Sequence, residues 1–362
     1  MNPTYCAAVT PMDKIVSTEI GGGKMKSVYL AAPLQISIKD IPTPATIRDD
    51  EVRVAIHAAS ICGSDIGAYR GTNPLVSYPR IIGHELAGEV TEAGSRTGFT
   101  IGDRVALEPY VNCGVCYPCS IGRTNCCENL KVLGVHTDGG MVEQFVHPAR
   151  LTHRIPEGMG WEDAALIEPL TIALHSNHRA HVKAGEHVVI CGAGPIGLLC
   201  AGVAIAHDAR PILLDPLDER LALAKQFGVV HTVNPGVTDA AEAIREITGG
   251  RMAEAVIEAS GAASSIAAVV SYVSYAGRIA LTGWPKEKIA MDTGMLTKKE
   301  IGLCGSRNSA HEFPEAMDMI RLRKIPVHLL VSLNTHSLEM LAGAVEEMSA
   351  HPERFLKIIA TF

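Results

Sequence analysis

Four closely spaced cysteines carry the strongest chemical signal in the sequence. Cys113, Cys116, Cys119 and Cys127 follow the spacing C-x2-C-x2-C-x7-C, and we call them the cysteine ladder. Four thiolates suit a tetrahedral Zn²⁺ ion, and a shell closed by four cysteines has no coordination position left for a substrate. We therefore expect a structural zinc site in a lobe at about residues 108–130, with the neighbouring Cys126 as an alternative fourth ligand.

A glycine-rich segment predicts a dinucleotide site. Gly192-Ala193-Gly194-Pro195-Ile196-Gly197 follows an apolar strand-like run and opens a helix-like segment. In this pattern the first glycine permits a tight turn, the second lets the backbone approach a pyrophosphate, and the third permits close packing of helix and strand. Asp215, which ends the next strand-like run, would accept hydrogen bonds from ribose hydroxyls and repel a 2′-phosphate, so NAD is favoured over NADP. Arg220 acts in the opposite direction, because a nearby arginine can accept a 2′-phosphate.

Three further segments contain side chains of the types that hold a catalytic zinc. They are Cys62-Gly63-Ser64-Asp65, Gly83-His84-Glu85 and Glu168-Pro169-Leu170. A catalytic zinc takes three such protein ligands and keeps one position open for water or substrate. Each segment alone is unremarkable, since a single histidine is usually a core or surface residue and a glutamate before proline often caps a turn. Because they occur together with the cysteine ladder and the glycine-rich segment, we expect a second zinc and therefore two zinc ions per chain.

The elements that must position these groups are of two kinds. From residue 25 to about 172, short alternating apolar runs such as Val52–Ile56 and Val142–Val146 indicate small β elements and long loops. From 173 to 307, near-continuous apolar strands alternate with helical segments, which indicates a doubly wound parallel sheet. The predicted strands of this part are His187–Cys191, Pro211–Leu214, Ala255–Ile257, Arg278–Leu281 and Ile301–Cys304. Two helices are predicted after residue 308, near Glu315–Arg323 and Leu338–Met348.

Length and composition restrict the class of protein. The 362 residues favour two domains, because single hydrophobic cores stop growing at about 250–300 residues. The net charge of −7 argues against nucleic acid as a partner. Cysteines that crowd into residues 113–127, with no secretory pattern at the N-terminus, predict a cytoplasmic protein. The uncharged run 188–206 is broken by three glycines and Pro195, so we expect no membrane contact.

Together these motifs resemble the zinc-dependent medium-chain alcohol dehydrogenases, in the branch of polyol (sorbitol), L-threonine and hexonate dehydrogenases. They run in the family's order over residues 25–362. The resemblance implies an α/β protein with a GroES-like β-rich catalytic domain and a Rossmann domain that binds NAD. It assigns residues 25–172 to the catalytic domain, 173–307 to the Rossmann domain and 308–362 to a C-terminal return to the catalytic domain. It also implies a homodimer or homotetramer that pairs through the edges of the Rossmann sheets. Residues 1–24 lie before the resemblance, show little pattern and end in Gly21-Gly22-Gly23, so we expect a mobile N-terminal extension, with a misplaced start site as the alternative.

The resemblance assigns roles residue by residue around the catalytic zinc. Cys62 and His84 are the implied ligands, and Glu85 and Glu168 are alternatives for the third protein position. The carboxylate of Glu168 either binds the metal directly or holds a water molecule bound to it. Asp65 is implied to orient a ligand from outside the shell.

The resemblance also bears on proton transfer. A zinc ion at the site would lower the pKa of the alcohol and so promote hydride transfer to NAD. Ser64 is then the candidate first proton carrier. The sequence departs from the family at Gly67, where many members have a histidine, so we expect the proton relay to run through water.

Three segments bear on the substrate. Thr282-Gly283-Trp284-Pro285, Thr297-Lys298-Lys299-Glu300 and Gly305-Ser306-Arg307-Asn308 resemble a bacterial subgroup that oxidises hexonates such as L-galactonate or L-gulonate, or related polyols. Arg307 is a candidate for pairing with a substrate carboxylate through two hydrogen bonds. The alternative is that Arg307 braces the domain junction or contacts the cofactor.

Other functions remain open at this point. Within the family they are L-threonine 3-dehydrogenase and a sorbitol- or galactitol-type polyol dehydrogenase. A non-catalytic zinc- and nucleotide-binding protein would be expected to lack a catalytic ligand, and every ligand is present. A zinc-ribbon interaction module would need a basic surface, which the net charge of −7 opposes.

Overall fold

The computed structural model describes residues 20–362. The predicted mobile extension therefore lies outside the described residues up to position 19. The first strand begins at Ile20, before the predicted start at Met25. Its pairing with the second strand, from Ile20 opposite Pro44 to Ala32 opposite Gln35, explains the difference. Backbone hydrogen bonds extend the strand through glycines that show no apolar pattern.

The bounds of the elements are as follows. The strands are β1 (Ile20–Ala32), β2 (Gln35–Pro44), β3 (Glu51–Ser60), β4 (Arg80–Ile81), β5 (Glu85–Ala93), β6 (Arg104–Leu107), β7 (Tyr110–Val111), β8 (Lys131–Val132), β9 (Gln144–Pro148), β10 (Thr152–Arg154), β11 (His187–Cys191), β12 (Arg210–Leu214), β13 (His231–Val233), β14 (Ala253–Glu258), β15 (Val273–Leu281), β16 (Gly302–Gly305), β17 (Val331–Thr335) and β18 (Lys357–Thr361). The helices are α1 (Gly63–Tyr69), α2 (Tyr117–Ser120), α3 (Trp161–Ala165), α4 (Ile167–Arg179), α5 (Pro195–Ala206), α6 (Asp218–Gln226), α7 (Ala240–Ile247), α8 (Ala263–Tyr272), α9 (Thr293–Lys299), α10 (Phe313–Arg321) and α11 (Leu338–Ala350).

The chain forms two compact units. Unit 1 contains the described residues up to Ala165 together with Ser332–Phe362, and unit 2 contains Leu166–Val331. These limits differ from the boundaries expected at 172/173 and 307/308. α4 belongs to unit 2 because it packs against α5 and α10. Residues 308–331 stay in unit 2 for the same reason, since Glu312 contacts His175 of α4 at 2.8 Å.

Unit 1 is built mainly from antiparallel strands. Its largest sheet has the order β10-β6-β5-β3-β18-β17, and β9 also pairs with β3. A three-stranded sheet has the order β2-β1-β4, and β7 pairs with β8. β18 pairs with the end of β3, with Ile359 opposite Ser60. The C-terminal segment therefore completes the sheet that carries the N-terminal motifs.

Unit 2 contains a six-stranded sheet of order β13-β12-β11-β14-β15-β16. All of its strand pairs are parallel. Residues Val188–Ile190 in the centre of the sheet are fully buried, which is typical of strands covered by helices on both faces. The five predicted strands of this part each overlap an observed strand, and the predicted doubly wound parallel sheet is confirmed.

The uncharged run 188–206 divides into β11 and α5, which are joined by the glycine-rich segment. α5 has only 12 residues. Among the described residues, none of the helices combines the length and apolar character needed to cross a membrane.

Candidate zinc centres and cofactor loop

The cysteine ladder lies in the loop between β7 and β8. Its four sulfur atoms all lie within 4.8 Å of one another, and Cys126 is not a member of this group. The Sγ atoms of Cys116 and Cys119 are 3.4 Å apart, and those of Cys116 and Cys127 are 3.8 Å apart. α2 connects Cys116 to Cys119 and so turns both thiols toward the same point. The four donors are therefore close enough to share one ion.

The electrostatics of the ladder fit a divalent cation. Backbone N–H groups of Val115 and Cys116 lower the pKa of Cys113 to about 6. Burial, together with the neighbouring thiols, raises the pKa of Cys119 to about 12. Without a cation, the four sulfurs cannot all be thiolates near neutral pH, because like charges at these distances repel each other. A Zn²⁺ ion removes that conflict, as in structural sites with four cysteine ligands.

A second group of potential ligands consists of Cys62, His84 and Glu85, which we call the catalytic trio. One ligand atom of each lies within 4.8 Å of the other two. Cys62 immediately precedes α1, and His84 and Glu85 lie where β5 begins. Thiolate, imidazole and carboxylate are the donors of catalytic zinc sites, so these residues fit the metal.

Asp65 ties together the two segments that carry the trio. Its carboxylate accepts hydrogen bonds from the N–H groups of Cys62 at 2.9 Å and Gly83 at 3.2 Å. The same carboxylate lies 3.7 Å from Nδ1 of His84. Gly83 has φ +101°, and a Cβ there would overlap Met141, so the turn into His84 requires glycine. Asp65 thus fixes the spacing of the ligand-bearing backbone segments.

Glu85 is paired with Lys357, the first residue of β18. Nζ of Lys357 forms an ion pair with Oε1 of Glu85, and the two side chains are only 3% and 1% exposed. Oε2 of Glu85 is buried and has no hydrogen-bond partner among the described residues. Burial by itself raises the pKa of Glu85, but the charges of Lys357 and His84 outweigh it and hold the pKa below its ordinary value. Glu85 therefore stays ionised.

Ser64 and Gly67 lie on α1 beside the trio. Oγ of Ser64 is 3.4 Å from Nε2 of His84, which places a hydroxyl next to a predicted zinc ligand. A Cβ at Gly67 would lie 3.8 Å from Oγ1 of Thr72. The position at which many family members have a histidine therefore faces the loop at residues 72–73.

The three glycines of the cofactor loop differ in their backbone conformation and in the space around them. Gly192 has φ +100°, a conformation that favours glycine. A Cβ on Gly197 would overlap the carbonyl oxygen of Gly192, so only glycine permits this packing. A Cβ on Gly194 would meet no atom within 4 Å, and its φ of −71° suits any residue. Pro195 and Ile196 then open α5. Open space at Gly194, beside the free N–H groups of a helix start, fits a phosphate.

Asp215 follows β12 and anchors the cofactor loop. It is 4% exposed, and its carboxylate accepts the N–H groups of Ala193 at 2.7 Å and Leu217 at 2.9 Å. Nη1 of Arg220 lies 4.0 Å from Oδ2 of Asp215. A carboxylate has about four acceptor positions, so these two hydrogen bonds do not use the whole acceptor capacity of Asp215.

Glu168 and Arg307 both lie in unit 2. Glu168 is in the first turn of α4 and is 5% exposed. Arg307 follows β16 and precedes Asn308, which has φ +50°. Their predicted roles toward the metal and the substrate stay predictions.

Sequence reasoning missed Lys357. A signal was present, because this lysine opens a strand in which the following Ile358, Ile359 and Ala360 are fully buried. A buried ammonium needs a counter-ion. The partner, Glu85, lies 272 residues away in the chain, and no local pattern connects the two.

Known proteins share both units of this chain. Residues 48–157 match the family described as "Alcohol dehydrogenase GroES-like domain", and residues 195–321 match "Zinc-binding dehydrogenase". The chain is 50% identical over 341 residues to an uncharacterized zinc-type alcohol dehydrogenase-like protein of Haemophilus influenzae, covering 94% of this chain and 99% of the relative. It is 33% identical over 327 residues to L-galactonate-5-dehydrogenase of Escherichia coli K12, covering 90% of this chain and 94% of the relative.

A solved structure has the same fold. It is described as the short chain alcohol dehydrogenase RspB of Escherichia coli CFT073, complexed with NADH. The TM-score is 0.88 at 36% identity, and the match covers 94% of this chain and 100% of that chain.

These similarities agree with the architecture. The GroES-like match falls within unit 1, and the zinc-binding dehydrogenase match falls within unit 2. The predicted family and fold class are confirmed. The chain belongs to the zinc-dependent alcohol dehydrogenases, oxidoreductases that act on CH–OH groups.

Proposed function

We propose that the chain oxidises a secondary alcohol of a polyol or sugar acid, a hexonate such as L-galactonate or L-gulonate, with NAD as the hydride acceptor. The observation that carries this proposal is the catalytic trio, whose ligand atoms lie within 4.8 Å of one another in a chain that also has an open cofactor loop at Gly194. The relative named L-galactonate-5-dehydrogenase supports the substrate class, and the solved relative with NADH supports the cofactor.

The side chains of the trio have distinct roles in this proposal. Cys62 and His84 hold the zinc, and a carboxylate, Glu85 or Glu168, completes the protein ligands. When bound, the zinc supplies Lewis acidity that lowers the pKa of the substrate hydroxyl. Ser64, which contacts His84, relays the proton of that hydroxyl: its Oγ accepts this proton while its own hydroxyl proton passes to solvent.

The cofactor and the substrate are recognised by residues of unit 2. The N–H groups at the start of α5 bind the pyrophosphate, and Asp215 accepts hydrogen bonds from the ribose. Arg220 lies against Asp215, so its charge is compensated and it is a poor partner for a 2′-phosphate. This arrangement favours NAD over NADP. We assign Arg307 to the carboxylate of the sugar acid.

Assembly is part of the proposal. β16 is at the edge of the six-stranded sheet, and its residues are largely exposed. An exposed strand edge offers unpaired N–H and C=O groups to a second copy. We propose a homodimer or homotetramer that pairs through this edge.

A substrate panel tests the proposal. Purified holoenzyme is incubated with NAD and L-galactonate, L-gulonate, sorbitol, galactitol or L-threonine, and NADH is followed at its absorbance band. We expect turnover with a hexonate or a polyol and two zinc ions per chain. A protein that reduces NAD only with L-threonine refutes the sugar assignment. A protein that keeps one zinc and reduces NAD with no alcohol refutes the enzyme assignment at this site.

A second test compares the variant Cys62→Ser with the matched control Cys126→Ser. Cys62 belongs to the trio, whereas Cys126 lies outside the ladder group. We expect Cys62→Ser to lose one zinc and the activity, and Cys126→Ser to keep both zinc ions. Loss of zinc from Cys126→Ser alone contradicts the ligand assignment of the ladder.

A further inference from the structure

We infer that a cavity at the carboxyl ends of β14 and β15 binds the hydroxylated carbon chain of the substrate, with the indole of Trp284 as the platform on which the chain stacks. This inference deepens the proposed function and rests on it, because it takes a polyol or a sugar acid as the substrate. It gives a role to Trp284 in the segment Thr282-Gly283-Trp284-Pro285, which the proposed function leaves without one.

The cavity has a volume of about 300 Å³ and lies within unit 2. One wall follows β14 and includes Ser260, and the other wall follows β15 and includes Trp284 and Ile289. β14 and β15 are parallel neighbours, so both walls lie at the edge of the sheet where open α/β proteins bind ligands. Sites for small molecules have volumes of about 300–1,000 Å³ and combine an apolar lining with a few polar groups, so this cavity suits a small ligand.

The backbone of Trp284 is fixed by two glycines and a buried carboxylate. A Cβ on Gly261 would lie 2.8 Å from the carbonyl oxygen of Trp284, and a Cβ on Gly283 would overlap the backbone nitrogen of Gly261. The two loops therefore pack backbone against backbone. The fully buried carboxylate of Glu258 accepts the N–H groups of Ser260 and Gly261, each at 3.1 Å. The carbonyl of Glu258 accepts the N–H of Gly283 at 2.9 Å, so contacts within the protein hold both walls of the cavity.

The indole of Trp284 contributes little to the fold, although its backbone is held firmly. Trp284 is 74% exposed, whereas the ring of Trp161 packs against His57 and Arg104. An aromatic side chain has few rotatable bonds, so it loses little conformational freedom when a ligand covers it. The negative face of the ring suits C–H groups that are polarised by neighbouring hydroxyls, as they are along a polyol chain. Trp284 therefore has the properties of a preformed platform for such a chain.

Two charged side chains of the cavity suit hydroxyl groups. Lys286 and Glu287 line the cavity and are exposed, and neither forms an ion pair with another described residue. An ammonium offers only donors and a carboxylate only acceptors, whereas each hydroxyl both donates and accepts. Successive hydroxyls of one carbon chain can therefore bind both charges. A nicotinamide ring has a single carboxamide to offer, so the hydroxylated chain is favoured over the cofactor as the occupant.

The cavity borders the cofactor loop directly. The N–H of Ala259 donates to the carbonyl of Cys191 at 3.0 Å, and a Cβ on Gly192 would lie 3.0 Å from Cβ of Ser260. A ligand in the cavity thus lies beside the loop that binds NAD in the proposed function, as hydride transfer from substrate to cofactor requires.

Fluorescence tests the inference without altering the cavity. The chain has two tryptophans, so Trp161→Phe leaves Trp284 as the only indole emitter and keeps a ring against His57. The zinc-loaded variant is saturated with NADH, which cannot accept a hydride, and acrylamide quenching is measured with and without L-galactonate, sorbitol or L-threonine. We expect the hexonate or polyol that the wild type oxidises to reduce the quenching, and L-threonine to leave it unchanged. If that substrate gives no protection, or if NADH alone gives all of it, the inference is overturned and the proposed function stands.

Kinetics provide a second test. Trp284→Ala should raise KM for the oxidised hexonate or polyol about 10–200-fold, the range for loss of a hydrophobic contact with a substrate, while NADH affinity and zinc content stay unchanged. Trp284→Phe keeps an aromatic face and should restore much of the lost affinity.

The charged residues supply a matched pair of variants. Lys286→Gln should raise KM, whereas Lys288→Gln should not, because Lys288 is exposed but does not line the cavity. A wild-type KM in Trp284→Ala, or equal effects of the two lysine variants, contradicts the inference. A wild-type protein that oxidises neither hexonates nor polyols refutes the proposed function, and this inference with it.

Discussion

Replacing Gly194 by alanine tests whether a bound cofactor or the fold itself requires glycine at this position. The added methyl group would meet no protein atom within 4 Å, and the backbone at φ −71° and ψ −179° accepts alanine. The protein itself therefore has no steric need for glycine at this position. If the cofactor pyrophosphate lies there, the methyl group occupies its place.

The expected magnitudes follow from this geometry. At the position that precedes a helix, alanine destabilises the folded protein relative to glycine by up to about 1 kcal/mol. Alanine also restricts the unfolded chain, which stabilises the folded protein by about 0.4–1 kcal/mol. The net effect on stability is near zero, and Tm should change by less than about 4 °C. A lost hydrogen bond to a charged phosphate costs about 1.5–3 kcal/mol. At 1.4 kcal/mol for each factor of ten, NADH should bind about 10–150-fold more weakly.

Calorimetric titration with NADH and thermal melting followed by circular dichroism measure both quantities on the same sample. Gly197→Ala is the matched control, because its methyl group would lie 2.8 Å from the carbonyl carbon of Gly192 and overlap the oxygen. That variant should lose about 1–3 kcal/mol of stability. If Gly194→Ala binds NADH as tightly as the wild type, the pyrophosphate does not lie at Gly194. If the Tm of Gly194→Ala falls by much more than about 4 °C, the space around this position is not open to a methyl group.

Three other predictions concern unit 1. His147 is fully buried, and burial lowers its pKa from 6.5 to about 4 although the carbonyls of Glu108 and Leu151 face its Nε2. The unfolded chain therefore binds the proton first, so stability should fall as the pH drops from 6.5 toward 4, by about 1.4 kcal/mol per pH unit from this residue. Urea denaturation at pH 7 and pH 5 measures the fall in the free energy of unfolding between the two pH values. This fall should be smaller in His147→Gln by the amount that His147 contributes, and an equal fall in the variant and the wild type contradicts the prediction. Cys119→Ser should reduce metal content from two zinc ions to one, measured by mass spectrometry, and make the loop at residues 113–127 sensitive to protease. Retention of both zinc ions would exclude Cys119 as a ligand. Asp65→Asn keeps one acceptor for the N–H groups of Cys62 and Gly83 and should weaken catalytic zinc binding about 10–100-fold in chelator competition, with the ladder zinc retained. Equal loss of both metals would show a general loss of folding instead.

The elements that the sequence predicts well are those whose signal is local. The parallel strands of unit 2 read as continuous apolar runs because both faces of the sheet are covered, and His187–Cys191 coincides with β11. The cysteine ladder closes within 15 residues, Cys113 to Cys127, so its spacing alone brings the sulfurs together. Gly192, Gly194 and Gly197 are likewise explained by a single turn between a strand and a helix.

The features that the sequence does not predict depend on distant partners. The apolar face of α4 shows that the helix is buried, but not that α5 and α10 are its neighbours, and this displaces the expected domain boundaries. The start of β1 at Ile20 depends on pairing with β2, since glycines give no apolar pattern. The Lys357–Glu85 pair joins residues from opposite ends of unit 1, and only the register of β18 against β3 brings them together.

The position of β18 beside β3 sets an order of events during synthesis. β3, α1 and the start of β5 leave the ribosome before unit 2, whereas β18 is made after it. Until β18 arrives, the end of β3 at residues 58–60 lacks this partner strand and Glu85 lacks its ammonium. The four cysteines of the ladder lie within residues 113–127, and the loop that carries them is closed by β8 at residues 131–132, so the ladder needs no segment made after unit 2. We therefore expect the ladder to be complete as a metal site early in synthesis, whereas the surroundings of Cys62, His84 and Glu85 are complete only once β18 has been made.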